Sequence, residues 1–209
     1  MDTKLTLSRP DLFDREDESD DALFYAQPRL VAHIDPSTID SLTQVYRELL
    51  PEDGIILDLM SSWISHLPPE MRFGRVFGLG MNEAELAEND RLDEFVTQNL
   101  NQTSELPFPD HQFDAIINAV SLQYLNNPVD VFRSAARTLK PGGLHLIALS
   151  HRCFPTKAIK AFRMLDPMGR VQLVQTYFEN AGQYESAVFL DRSPSAGDPL
   201  WIIMARKSS

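Results

Sequence analysis

The chain has 209 residues, 43% of them hydrophobic, and a formal net charge of −11. A chain of that size buries roughly 70% of its unfolded surface, which suits one domain plus an extension. The acid excess argues against tight nucleic-acid binding, which rests on Lys and Arg neutralising phosphates. Its apolar runs fall far short of the roughly 18 residues that cross a membrane, and residues 1–10 hold no apolar signal-peptide core. Cys153 is the single cysteine, so no internal disulfide forms, which fits a reducing cytoplasm.

Residues 1–21 are polar, and residues 11–21 (DLFDREDESDD) are strongly acidic. Such a run repels itself and buries little, so a flexible tail is the expectation. In residues 22–34, by contrast, Phe24, Tyr25, Leu30 and Val31 need cover. Asp35-Pro36-Ser37 then opens a helix whose Ile39, Leu42, Tyr46 and Leu49 form one apolar stripe. Residues 22–50 are therefore expected to dock as a helical lid on the domain formed by residues 51–209. From that lid Tyr25, Tyr46 and His33 either line a pocket or simply pack, and packing is the commoner role.

After the turn at Gly54, residues 55–59 read as a buried strand carrying one acid, Asp58. A carboxylate there is costly unless it meets a ligand or a partner, though capping the next turn is an equally common use. Met60, Ser61 and Ser62 follow, where an α/β sheet binds ligands. Pro68-Pro69 leave room only for a loop with a turn or two of helix before a second strand at 75–79. That strand runs into GLGMNE, a partial dinucleotide fingerprint with Glu83 where the third glycine belongs. Asn82 and Glu85 cap a short helix over 83–88. A third strand over 94–98 ends in Asn99-Leu100-Asn101, and a fourth over 113–119 ends in a loop holding Asn118, Val120 and Tyr124. Pro128 opens a helix that Lys140-Pro-Gly-Gly143 stops ahead of a fifth strand over 144–149. Helices follow at 156–165, with Lys157, Lys160 and Arg163 on a solvated face, and at 170–181. Strands at 187–190 and 200–205 close the chain as an antiparallel pair at the sheet edge. Strands alternating with helices mean an open α/β sheet with a cleft above its strand ends.

Two stretches, LPFPDHQFDAIINAVSLQYL and LKPGGLHLIALS, resemble the second half of a class I S-adenosylmethionine-dependent methyltransferase. The resemblance spans residues 50–207. It implies a Rossmann-like seven-stranded, mostly parallel sheet with an antiparallel last strand, here behind an N-terminal helical extension. It also implies S-adenosylmethionine as cofactor and a small or medium-sized acceptor. Asp58 matches the family's acid after the first strand, which opens a glycine-rich loop, here Met60, Ser61 and Ser62. Gly80, followed by Met81 and Asn82, stands where the family places the acid that holds the ribose. Asn99 and Leu100 fall near the adenine, with Asn118 and Val120 beside them. DLMSSWIS lacks the loop glycines, and Asn82 is the expected neutral substitute for the ribose acid. On this reading Gly80→Asp should tighten cofactor binding.

A sulfonium methyl is already activated, so transfer needs in-line alignment and exclusion of water. A base is required only if the acceptor must first lose a proton. Candidates for the chemistry are Tyr124, His151 and His66, with Tyr25, Tyr124 and His151 at the substrate. Cys153 lies in the same loop as His151, where plain loop residues are the commoner reading. The five histidines have no metal-ligand spacing, and no metal, nucleic acid or membrane is expected as a partner. A rival reading is a non-catalytic member that binds a ligand or partner in the same cleft. A nicotinamide enzyme comes third, because its fingerprint would sit on the second strand.

Overall fold

A computed structural model describes residues 9–209. Its strands are β1 (Ile55–Leu59), β2 (Arg75–Gly80), β3 (Glu94–Thr97), β4 (Phe113–Ala119), β5 (Leu139–Leu149), β6 (Val188–Asp191) and β7 (Trp201–Arg206). The helices are α1 (Asp21–Phe24), α2 (Pro36–Leu49), α3 (Glu83–Ala87), α4 (Pro128–Thr138), α5 (Lys160–Met164) and α6 (Pro167–Ala181). All seven strands form one sheet in the order β3-β2-β1-β4-β5-β7-β6. β7 runs antiparallel to both neighbours and the rest are parallel, the Rossmann-like arrangement expected. The chain builds outward from β1 to β3, then returns to start β4 on the other side of β1. Ligands bind at such a reversal, beyond the carboxyl ends of the strands.

Alternation along the strands divides the core in two. Leu57, Leu59, Ile147 and Leu149 face α4 and α6. Ile56, Ala115, Ile117, Leu146 and Ala148 face α2, whose Leu42, Val45 and Tyr46 are completely buried. Residues 60–74 between β1 and β2 contain no helix, not even the turn or two expected around Pro68-Pro69, so α2 covers this face in place of a crossover helix. Burying a side chain of that kind is worth about 1.5–3 kcal/mol. Residues 36–49 are therefore core. Only residues 22–34 of the expected lid lie over the strand ends.

The acidic run also departs from expectation. Residues 1–8 lie outside the described part, but residues 9–21 are packed, with Leu12 buried in the main core. The cations expected on a solvated face meet this run instead. Lys157 is wholly buried and donates to Ser19 O at 2.7 Å, with Asp17 and Asp21 carboxylates each at 3.2 Å. Arg15 pairs with Asp21 at 2.7 Å, and Lys160 and Arg163 pair with Asp11 and Glu16. The backbone joins in, with Asp17 N on Thr156 O at 2.8 Å and Lys160 N on Asp14 O at 2.9 Å. Self-repulsion is relieved because a matching row of cations lies across from it.

Three boundaries moved. The helix expected at 156–165 is only α5, because residues 154–159 form turns and Ile159 N bonds Gln123 O. α6 begins three residues early, at Pro167, where Asp166 caps Gly169 N at 2.7 Å. Lys140-Pro-Gly-Gly143 lies inside β5, at a register shift against β4, so it opens the strand as well as ending α4.

Candidate functional site

A cavity of about 350 Å³ opens above the carboxyl ends of β1, β2 and β4, with residues 21–33 as its outer wall. Its volume falls in the range of small-molecule sites. Every site residue expected from the sequence lines it except Asn118 and His151.

Asp58 stands at the end of β1 and is 4% exposed. One carboxylate oxygen accepts both Ser61 Oγ and Ser65 Oγ, each at 2.6 Å. Burial pushes its carboxyl up to about 6 in spite of those two bonds. The next residue but one, Met60, has φ 61°, the left-handed region where a glycine is usual. The loop thus keeps the turn of a glycine-rich loop with a side chain in it. Val120, at the end of β4, is also left-handed, with φ 45°, an unusual state for a β-branched residue. Strain of this kind gathers at ligand sites.

The loop then crosses the end of β2, where Ser61 N donates to Leu79 O at 2.7 Å. This crossing explains Gly80. A Cβ there would stand 2.3 Å from Ser61 O, which is backbone and cannot swing away. The expected gain from Gly80→Asp is thereby overturned. Asn82 is not free to replace the missing acid either. Its Nδ2 donates to Tyr25 O at 2.7 Å, and its Oδ1 accepts Glu85 N at 3.0 Å. Asn82 caps α3 and pins the outer wall.

Two further contacts hold that wall. Glu85 accepts Arg29 N at 2.7 Å and Ser62 Oγ at 2.6 Å, and Trp63 Nε1 donates to Val31 O at 3.1 Å. On the β3 side, Asn101 Nδ2 bridges Asp21 at 2.9 Å and Tyr124 O at 3.0 Å. Burial pushes the Asp21 carboxyl up, but bonds from Asn101 and Arg15 outweigh it and leave it below the usual value.

Two expected residues lie elsewhere. Asn118 is fully buried behind the wall, where its Nδ2 ties Leu59 O at 2.9 Å to Ser121 Oγ at 3.0 Å. It braces β4 against β1 and does not face the cavity. His151 is half exposed and sits 3.1 Å from Asp198, outside the cavity. Tyr46 is buried under α2, while His33 does reach the cavity. Tyr124 stacks on Phe154 and its hydroxyl accepts Phe154 N at 2.9 Å. Burial pushes that phenol up to about 12, and pushes Tyr25 above its usual range. Burial pushes His66 down to about 4, which keeps it neutral, and raises the Cys153 thiol.

Asp21, Arg29 and Phe154 line the cavity without having been singled out, while Asn101 lines it at the expected corner after β3. Arg29 left a faint signal, a cation four residues after Tyr25 in an aromatic stretch. Asp21 left none, being one acid among many.

The sequence profile of a family described as a methyltransferase domain matches residues 61–147. A bifunctional biotin-biosynthesis protein of Teredinibacter turnerae is 28% identical over 121 residues, 52% of this chain and 21% of that protein. A malonyl-[acyl-carrier protein] O-methyltransferase of Hahella chejuensis is 29% identical over 119 residues, 54% of this chain and 42% of that one. The chain matches less than half the length of these curated relatives. A solved S-adenosylmethionine-dependent methyltransferase from Mesorhizobium loti superposes with a TM-score of 0.58 at 16% identity, over 81% of this chain and all of that one. At that identity the superposition speaks for the fold, while the profile covers the stretch from the β1 loop to β5 that carries the resemblance. Residues 61–147 thus match a methyltransferase-domain family, and the chain shares the fold of a solved S-adenosylmethionine-dependent methyltransferase.

Proposed function

We propose that this chain binds S-adenosylmethionine in the cavity above β1, β2 and β4 and passes its methyl group to a small-molecule acceptor. The observation that carries this reading is Asp58. It is a buried carboxylate on the cavity wall, bonded only to neutral serine hydroxyls and held partly against its ionisation. Glu85 adds a second carboxylate with neutral partners. A ligand carrying a sulfonium and an ammonium would supply the missing positive charge. Asp58, Ser61, Ser62 and Glu85 would hold the cationic end, and Met81, Asn99 and Leu100 the nucleoside. Residues 22–34 would act as the lid that excludes water from transfer. The curated relative named as an O-methyltransferase supports transfer to an oxygen of the acceptor. The lone thiol of Cys153 supports a reducing compartment, the cytoplasm.

The test is a thermal-shift titration with S-adenosylmethionine and S-adenosylhomocysteine. Ligand at 100 times its dissociation constant adds ~2.7 kcal/mol, which raises the melting temperature by roughly 5–10 °C. No rise with either compound at millimolar concentration refutes the reading. The Ser61 carbonyl over Gly80, and the committed Asn82, favour a second reading, a member that binds ligand without transferring methyl. Binding of both compounds with no methylated product from any acceptor would decide for it.

A further inference from the structure

We propose that Asn101 is a positioning residue that joins cofactor binding to completion of the acceptor's seat. A nucleoside placed at Asn99 steadies both the outer wall and Tyr124 through it, a role that rests on the cofactor-binding reading above.

Asn101 follows β3 and meets three parts of the cavity. Its backbone N donates to Asn99 Oδ1 at 2.9 Å, which orients that side chain and leaves Asn99 Nδ2 without a partner among the described residues. Its own Nδ2 donates to Asp21 Oδ2 at 2.9 Å and to Tyr124 O at 3.0 Å. Its Oδ1 accepts Asn126 N at 2.9 Å. Both side-chain donors and the acceptor are thus spent on segments far away along the chain.

Asp21 is the point where the wall begins. It is locked by Arg15 at 2.7 Å and Lys157 at 3.2 Å, and none of these three side chains is more than 5% exposed. Beyond it, residues 22–33 are mostly exposed, and polar contacts from Asn82, Glu85 and Trp63 hold them. A segment so little buried opens locally at low cost. Asn101 therefore grips the wall where the fixed part ends, through a charge-assisted bond.

The second grip acts through aromatic packing. The Tyr124 hydroxyl accepts Phe154 N at 2.9 Å, and its ring stacks on Phe154 at 5.8 Å. Phe154 meets Phe24 of the wall edge-on at 5.4 Å and lies 5.5 Å from the Arg29 guanidinium. Close-packed groups transmit strain, so a shift of residues 124–126 reaches the wall. Tyr25 and Tyr124, the residues expected at the acceptor, lie at the two ends of this path. A nucleoside that bonds the free Asn99 amide fixes the turn that carries Asn101, and with it both grips. A ligand that favours the closed arrangement in this way shifts the population toward it.

The test follows amide exchange of residues 22–34 by mass spectrometry in the full chain. Its probe is 5′-methylthioadenosine, a nucleoside that lacks the amino-acid end. At saturation the probe should slow exchange in the wild type by about fivefold or more, the lower edge of usual coupling strengths. Asn101→Ala should cut that slowing to about twofold or less at equal saturation. Asn101→Asp, which keeps an acceptor for Asn126 N but loses both donors, should do the same. Coupling is reciprocal, so Trp63→Phe, which frees Val31 O at the far end of the wall, should weaken the probe's binding. That weakening should shrink once Asn101 is also replaced by Ala. Unchanged slowing in Asn101→Ala, or a Trp63→Phe protein that binds the probe as tightly as wild type, would overturn the inference. So would slowing by S-adenosylhomocysteine but not by the probe, since the wall would then sense the amino-acid end through Glu85. The wild-type and Trp63→Phe measurements need no Asn101 variant, so they decide even where melting curves show those variants unfolded. A wild type that binds neither compound is a separate result, which removes the cofactor reading and this inference with it.

Discussion

Replacing Asp58 by Asn should make the protein more stable at neutral pH and poorer at binding its cofactor. Burial raises this carboxyl from 3.8 to about 6, roughly two units, and each unit is worth about 1.4 kcal/mol. Keeping Asp58 ionised at pH 7 therefore costs about 3 kcal/mol. The folded protein holds this proton more tightly than the unfolded chain. The group's contribution is thus fully favourable below the unfolded value near 3.8 and is lost as pH rises through about 6. Asn keeps an acceptor for Ser61 Oγ and Ser65 Oγ but has no charge to desolvate. Chemical denaturation of both proteins between pH 4 and pH 8 measures the difference, and other titrating groups largely cancel in it. Asp58→Asn should gain up to about 3 kcal/mol above pH 7, or roughly 6–12 °C in melting temperature, and almost nothing near pH 4. Its affinity for S-adenosylmethionine should fall by about tenfold, the loss of one charged contact. A difference that is flat with pH, or an Asn variant less stable than wild type at pH 8, would refute the reasoning.

Gly80→Ala and Gly80→Asp should both destabilise the fold by about 1–3 kcal/mol through overpacking, because a Cβ would lie 2.3 Å from Ser61 O, and denaturant midpoints would show it. Tighter cofactor binding by a stable Gly80→Asp protein would contradict the loop crossing described above. Asp21→Asn leaves Arg15 and Lys157 short of a buried partner and should cost about 3–5 kcal/mol, whereas Glu16→Ala at the exposed Arg163 pair should change stability by about 0–1 kcal/mol. Equal effects in urea denaturation would mean that the acidic run is held by packing of Leu12 rather than by its charges.

Much of the fold was legible because its signals are local. β4 was readable to the residue, since a Pro-rich turn precedes a run that is apolar but for Asp114 and Asn118. The antiparallel closing pair followed from two apolar runs around a short polar loop, and the short β1–β2 connection followed from Pro68-Pro69. The corners of the site were readable for the same reason: in an open α/β sheet, ligand contacts fall where strands end, and strand ends are marked by turn residues. The tertiary structure alone decided which of those residues are free to act. Asn82 and Asn118 carry the right chemistry at the right corners, yet Asn82 spends both ends of its amide on the scaffold and Asn118 its amide nitrogen. Met60 takes a glycine's conformation because the loop that crosses β2 forces it, and Gly80 is small because that loop passes over it. The acidic run read as a tail because its own composition is all that a local window contains. Apart from Arg9 and Arg15, its cations lie more than a hundred positions downstream, and only folding brings Lys157 onto Asp21. Charge pairing and burial act between residues that the fold makes neighbours, so they cannot be read from periodicity along the chain.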